Sequence, residues 1–223
     1  MSLSVRSQRE EQMDADDLPA DTYAAVVADL AKANRLTLAS RPTLSFIRRA
    51  TQRKPFRLLD VGFGQGDMLR TIAGRFPEAE LVGVDLNPRS APAAQAVTPG
   101  HLGIRYVTGD YGDLAGERWD LIVSSLVAHH MTHGQLVAFL RFMDGHAQMG
   151  WLINDLHRHS LPHRGFPILA RLMRWHRMVR EDGTLSIARS YRPAEWLPIL
   201  AEAGVSARVY RAFPFRLCVE RIS

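Results

Sequence analysis

The chain has 223 residues, 46% hydrophobic and 23% charged, which suits one packed domain with room for a small cap and excludes general disorder. Its net charge of +5 admits an anionic partner. Only Lys32 and Lys54 are lysines, however, and the one modest basic cluster is Arg48, Arg49, Arg53, Lys54 and Arg57, so the balance reads as a general preference for arginine and no nucleic-acid partner is expected.

The start is polar and acidic (Glu10, Glu11, Asp14, Asp16, Asp17), which predicts a frayed segment over residues 1 to 20 and no secretory signal. Tyr23, Val26, Val27, Leu30 and Ala31 recur at helical spacing, with Asp21 or Thr22 as N-cap. Pro42 opens a second helix carrying Leu44, Ile47 and Ala50. These helices form an expected lid over 1–54, before a main domain over 55–223. There, short apolar runs at 57–61, 81–85, 104–107, 119–125 and 151–155 read as strands. Helical segments separate them: one with Met68, Leu69 and Ile72, an alanine-rich one at 90–97, and one opened by the capping-box spacing Thr132 to Gln135. Strands alternating with helices predict an α/β fold, a parallel sheet covered on both faces. Residues 157–190 break the rhythm and read as an inserted helical cap. Pro193 to Ala203 is a helix closed by Gly204, and two closely linked strands after it must pair antiparallel. The single cysteine, Cys218, excludes an internal disulfide framework and fits a reducing, cytoplasmic setting. No apolar run reaches the roughly 18 residues of a membrane span.

The most informative segment is Leu58-Leu59-Asp60-Val61-Gly62-Phe63-Gly64-Gln65-Gly66-Asp67, a strand running into alternate glycines and then a helix. In open parallel sheets that crevice binds ligands. A dinucleotide loop wants its third glycine at 67, which is Asp67. Asp60 and Asp67 would repel a pyrophosphate and suit a ligand with a cationic amino group and a sulfonium. Asp85 ends the second strand, where a carboxylate can accept from both ribose hydroxyls. Asp110, after Gly109, can accept from an adenine amine, with Leu86 or Tyr111 against the ring; it can equally serve as a turn former.

With Gly109-Asp110 and Trp119-Asp120-Leu121-Ile122-Val123-Ser124-Ser125 following in order, the chain resembles class I S-adenosylmethionine-dependent methyltransferases over residues 55 to 220. The resemblance implies a Rossmann-like sheet of seven mostly parallel strands with an antiparallel last strand. It implies S-adenosylmethionine as cofactor, with Asp60, Gly62, Gly64 and Gly66 at the methionine end, Asp85 on the ribose and Asp110 on the adenine. Leu86, Tyr111 and Ser125 complete the expected cofactor set.

Ser125-Leu126-Val127-Ala128-His129-His130 is similar to the small-molecule branch of that family, and the Asn/Asp-Pro-Pro-aromatic signature of nucleic-acid amino-methylation is absent here. A histidine titrating near neutrality can take a proton from an attacking hydroxyl, so His129 or His130 is the candidate base or acceptor-orienting group; either could instead shape its loop. Asn154-Asp155-Leu156-His157-Arg158-His159 looks like a bacterial subgroup associated with phenolic and polyketide-type secondary metabolites. His157, Arg158 and His159 are candidate substrate-binding residues, or a solvated part of the cap. His157, His159 and His163 have imidazoles at short spacing, but Pro162 interrupts the register and nothing completes a ligand set, so no metal is expected. The expected activity is O-methylation of a phenolic or polyketide-like hydroxyl on a small molecule. The alternatives are C-methylation of a quinone-type ring, a nucleic-acid or protein methyltransferase, and a cofactor-binding module without turnover. The sequence leaves the oligomeric state open.

Overall fold

The computed structural model describes residues 3–15 and 17–223; Asp16 of the acidic start and the first two residues of the 1–54 segment lie outside it. Two helices, α1 (Ala20–Leu36) and α2 (Ser40–Thr51), precede the sheet. Then β1 (Arg57–Val61), α3 (Asp67–Arg75), β2 (Glu80–Asp85), α4 (Ser90–Val97), β3 (Arg105–Thr108), β4 (Trp119–Ser125), α5 (His133–His146) and β5 (Ala147–Leu156) alternate. The cap consists of α6 (Ser160–Leu172) and α7 (Arg177–Arg189), followed by α8 (Pro193–Ala203), β6 (Arg208–Ala212) and β7 (Arg216–Ile222). No helix among the described residues is long and apolar enough to cross a membrane.

The seven strands form one sheet in the order β3-β2-β1-β4-β5-β7-β6. The pairs from β3 through β5 are parallel, and β7 runs antiparallel to both β5 and β6. The expected fold class is therefore the observed one. Successive strand residues point to opposite faces, and both faces are covered. Leu59, Val61, Ile122 and Ile153 pack with Leu136, Leu140 and Met143 of α5 and Trp196 of α8. Leu58, Leu121, Val123 and Leu152 pack with Phe46 and Ile47 of α2 and Leu69 and Ile72 of α3. This double burial is why the strands read as nearly continuous apolar runs.

Two local readings are sharpened. The Thr132–Gln135 capping box forms as expected: Thr132 N donates to Gln135 Oε1 at 2.9 Å, and Gln135 N to Thr132 Oγ1 at 3.3 Å. The first helix, however, starts at Ala20 with Pro19 as N-cap rather than Asp21 or Thr22.

Where the start is described, residues 6–13 pack against the rest of the chain. Ser7 N donates to Ala188 O at 3.0 Å, and Arg6 stacks on the Tyr191 ring, 4.2 Å from its centroid. Gln12 N and Met13 N donate to the Asp182 carboxylate at 3.1 and 2.9 Å. An acidic composition suggested solvation, but here the backbone N–H groups find a buried acceptor on α7, and ordering follows.

Candidate active site

β1 is flanked by β2 and β4, so the chain leaves its carboxyl end at the point where the connections diverge. The glycine loop occupies that point. Gly62 has φ +78°, and a Cβ there would fall 2.3 Å from Val127 Cγ2. Gly66 has φ +72° and caps α3; a Cβ there would fall 2.5 Å from Tyr106 Oη. Neither position admits a side chain. Gly64 N donates to Asp85 Oδ2 at 2.8 Å, and Asn87 N to Asp85 Oδ1 at 2.9 Å. The Asp85 carboxylate thus spans the crevice.

A cavity of about 850 Å³ opens from this crevice. Asp60, Gly62, Gly64, Asp85, Leu86, Tyr111 and Ser125 line it, as do His129 and His130. Gly66 and Asp110 do not: Gly66 serves the close packing of α3 on Tyr106, and Asp110 Oδ1 accepts from Gly112 N at 2.7 Å, the turn-forming alternative. Asp60 is buried, and desolvation, with Asp67 and Asp85 nearby, pushes its carboxyl up to about 8. Ser125 Oγ is buried with no partner among the described residues. A protonated acid, an unmatched hydroxyl and a glycine-lined wall form a cradle that fits a ligand with an ammonium at one end and a nucleoside at the other.

The far side of the cavity belongs to the cap and α1. Leu161 and Phe166 of α6, Val179 of α7 and Tyr23 and Val27 of α1 face it. Phe46 of α2, by contrast, lies in the core and does not reach the cavity.

Between these regions sits a buried polar cluster. His129 is 2% exposed; its Nδ1 lies 2.7 Å from Asp155 Oδ1, and its backbone N donates to Asp155 Oδ2 at 2.9 Å. His129 Nε2 faces Glu11 Oε1 at 3.6 Å, and His130 Nε2 faces Glu11 Oε2 at 3.8 Å. Burial alone would lower the His129 pKa, but Asp155 and Glu11 outweigh it and raise the imidazole to about 9. Burial would likewise raise the Glu11 pKa, but His129, His130 and Ser186 hold it below its ordinary value; Ser186 Oγ donates to Glu11 Oε1 at 2.8 Å. Arg189 donates from Nη1 to Arg9 O at 2.8 Å and from Nε to His129 O at 3.3 Å. Arg6 donates to His129 O at 2.6 Å. Glu11, His129 and His130 each bring a metal-ligating atom within 4.8 Å of the others. Arg189 Nε, 3.9 Å from Glu11 Oε1, brings a fixed positive charge against the same carboxylate.

His157, Arg158 and His159, the candidate substrate residues, line none of the cavity. His157 bridges to Tyr191, and His159 caps α6 by accepting from Leu161 N at 3.2 Å. Arg158, 1% exposed, donates to Ser190 O at 2.8 Å and pairs with Glu195. They fasten the cap to the sheet. The sequence reading missed Glu11, Asp155 and Arg189. Only Asp155, beside the histidines of its own strand end, offered a local signal.

Residues 58–150 match the family model of a methyltransferase domain. Among curated relatives, the trans-aconitate 2-methyltransferase of Mycobacterium tuberculosis H37Ra is 25% identical over 175 residues, 77% of this chain and 64% of its own length. That of Streptomyces avermitilis is 28% identical over 183 residues, 77% of this chain and 66% of its own. That of Methylobacterium radiotolerans is 35% identical over 60 residues, 27% of this chain and 23% of its own. The chain thus spans less than two thirds of the length of each. Of solved structures, the plantazolicin methyltransferase BpumL in complex with SAH superposes with a TM-score of 0.69 at 14% identity, covering 94% of this chain and 91% of that one. Human N-acetylserotonin methyltransferase in complex with SAM gives 0.66 at 14% identity, covering 96% and 63%. At such identities these structures establish the fold. Over residues 58–150 the chain is thus similar to a methyltransferase domain.

Proposed function

We propose that the protein is an S-adenosylmethionine-dependent methyltransferase acting on a small molecule, by O-methylation of a phenolic or polyketide-like hydroxyl. The carrying observation is the single cavity that joins the Asp85–Gly64 crevice to His129 beneath an apolar cap. Its volume of about 850 Å³ lies within the range of small-ligand sites. Curated relatives named for trans-aconitate support a small acceptor. The single buried cysteine is consistent with a reducing, cytoplasmic setting.

When bound, S-adenosylmethionine supplies an electrophilic methyl group on a sulfonium. Asp60, the Gly62–Gly64 backbone, Asp85, Leu86, Tyr111 and Ser125 are the residues that would hold it. The protein's remaining task is to align the acceptor oxygen and take its proton, an effect of proximity and acid–base chemistry. Asp155 fixes the His129 ring through Nδ1 and leaves Nε2 toward the cavity and Glu11. At neutral pH most His129 carries a proton and orients an acceptor oxygen by donating to it, and the minor neutral form takes the hydroxyl proton onto Nε2 as the oxygen attacks. As base it gains capacity as pH rises toward about 9. Glu11 balances the charge in either state.

The test is incubation with S-adenosylmethionine and a panel of phenols and polyketide hydroxyls, read by S-adenosylhomocysteine release and product mass. His129→Gln should lower kcat by about 10²- to 10⁴-fold, the usual worth of a proton-transfer group. Unchanged kcat would remove His129 from the mechanism. Full turnover on an amine or carbon acceptor with none on hydroxyls would overturn the O-methylation reading.

A further inference from the structure

Arg216 opens β7 and is 2% exposed, yet it faces the cavity beside Leu156, Pro214 and Phe215. Its Nη2 donates to Thr37 Oγ1 at 3.3 Å. Its Nε and Nη1 are buried and meet no acceptor among the described residues. A guanidinium keeps its charge, and donors buried without partners cost free energy. The carboxylate that acts most strongly on it, Asp155, is already committed: Oδ1 serves His129 Nδ1 and Leu156 N, and Oδ2 serves His129 N. Asp67 and Asp155 act on Arg216 only through their field. An unmatched fork of donors at a cavity wall is therefore built toward something that enters.

We propose that Arg216 anchors a carboxylate of the methyl acceptor. This rests on the methyltransferase reading and names the acceptor class for the same site. Position favours the acceptor over the cofactor. In the sheet order β1-β4-β5-β7, Arg216 stands three strand spacings from the glycine-loop strand, about 14 Å. It adjoins the start of α6, where the neighbouring Phe215 stacks on His159, the residue that caps that helix. Charge favours a carboxylate over a phosphate. A planar guanidinium matches two carboxylate oxygens, and one negative charge balances Arg216, whereas a dianion would leave an excess in a cavity already holding Glu11, Asp67 and Asp85.

The experiment titrates the native protein, with and without S-adenosylhomocysteine, with benzoate, phenylacetate and tricarballylate and with the matching amides. Calorimetry gives affinity, and the Arg216 Nε–H resonance reports the site. At least one carboxylate should bind in preference to its amide and shift that resonance. Arg216→Met should weaken that binding by about tenfold to a hundredfold, the worth of hydrogen bonds to a charged group, and Arg216→Lys should restore part of it. No carboxylate preference, or binding that survives Arg216→Met, overturns the proposal. So does a loss of S-adenosylhomocysteine affinity in Arg216→Met with 5′-methylthioadenosine affinity unchanged, since the carboxylate would then be the cofactor's. Failure of the native protein to bind S-adenosylhomocysteine would defeat the methyltransferase reading, while the carboxylate titration without it still decides the role of Arg216.

Discussion

The two ends of the cavity are built differently. The crevice at β1, β2 and β4 is made at the ends of adjacent parallel strands: glycine backbone, a strand-end carboxylate and the loop that follows it. The end beneath the cap is made of side chains drawn from the whole chain. Glu11 comes from the start, His129 from the loop after β4 and Arg216 from β7, and behind them Asp155 of β5 and Arg189 of α7 hold His129 and Glu11. Local backbone can form as soon as its strand does. The second end exists only when residues 6–13 lie against α7. The difference predicts that variants at the cap end damage fold and site together, whereas variants in the crevice damage ligand binding alone.

The largest expected effect is at Arg189, whose donors hold Arg9 O and His129 O while its charge faces Glu11. Arg189→Met should destabilise the fold by about 3–5 kcal/mol, as removal of one partner from a buried charged network does, and should open residues 6–13 to proteolysis. A Tm within a degree or two of the native protein would show that the start is not held through this arginine. Arg158→Met comes next. It should cost about 1–3 kcal/mol for the carbonyl and carboxylate it leaves unmatched, with KM for the acceptor unchanged. A raised KM at native Tm would return Arg158 to the substrate-binding role that its sequence context suggested.

That residue shows where sequence reading stops. The glycine loop, Asp85, the strand order and the Thr132 capping box were legible because each depends on residues close in sequence, with periods of two or 3.6. Asp110 was legible as a residue but not as a role, since an aspartate before a glycine serves a turn as readily as a ligand. His157-Arg158-His159 resembled a binding patch because charged side chains suggest solvent, and only packing shows Arg158 buried against Ser190 and Glu195. Glu11 and Arg216 lie 205 residues apart in the chain and border the same cavity in space, and no local pattern marks such a meeting.

Two smaller effects concern protons. The folded-state pKa of His129, about 9, stands above its ordinary 6.5. Its contribution to stability is therefore full below about 6.5 and is lost as pH rises through about 9. Tm should fall across that window, and His129→Gln should flatten the fall; an equal fall in the variant would place the titration elsewhere. At the crevice, Asp60 is raised to about 8 and so is mostly protonated at pH 7 in the ligand-free protein. An ammonium beside it favours the ionised form, so binding of S-adenosylhomocysteine at pH 7 should release a fraction of a proton. Calorimetry in buffers of different ionisation enthalpy reads that fraction, and Asp60→Asn should remove it. Buffer-independent heats in the native protein would mean that the ammonium does not meet Asp60.

The central claim is that the glycine loop and Asp85 form a nucleoside crevice for S-adenosylmethionine. Calorimetric titration of the native protein and Asp85→Ala with S-adenosylhomocysteine, and with NAD and NADP alongside, tests it most directly. The account predicts binding of S-adenosylhomocysteine by the native protein, weakened about 30- to 100-fold in Asp85→Ala by the loss of charge-assisted hydrogen bonds, and no binding of either dinucleotide. Binding of NAD or NADP without S-adenosylhomocysteine would contradict it, and the reading of the cavity as a methyl-transfer site would fall with it.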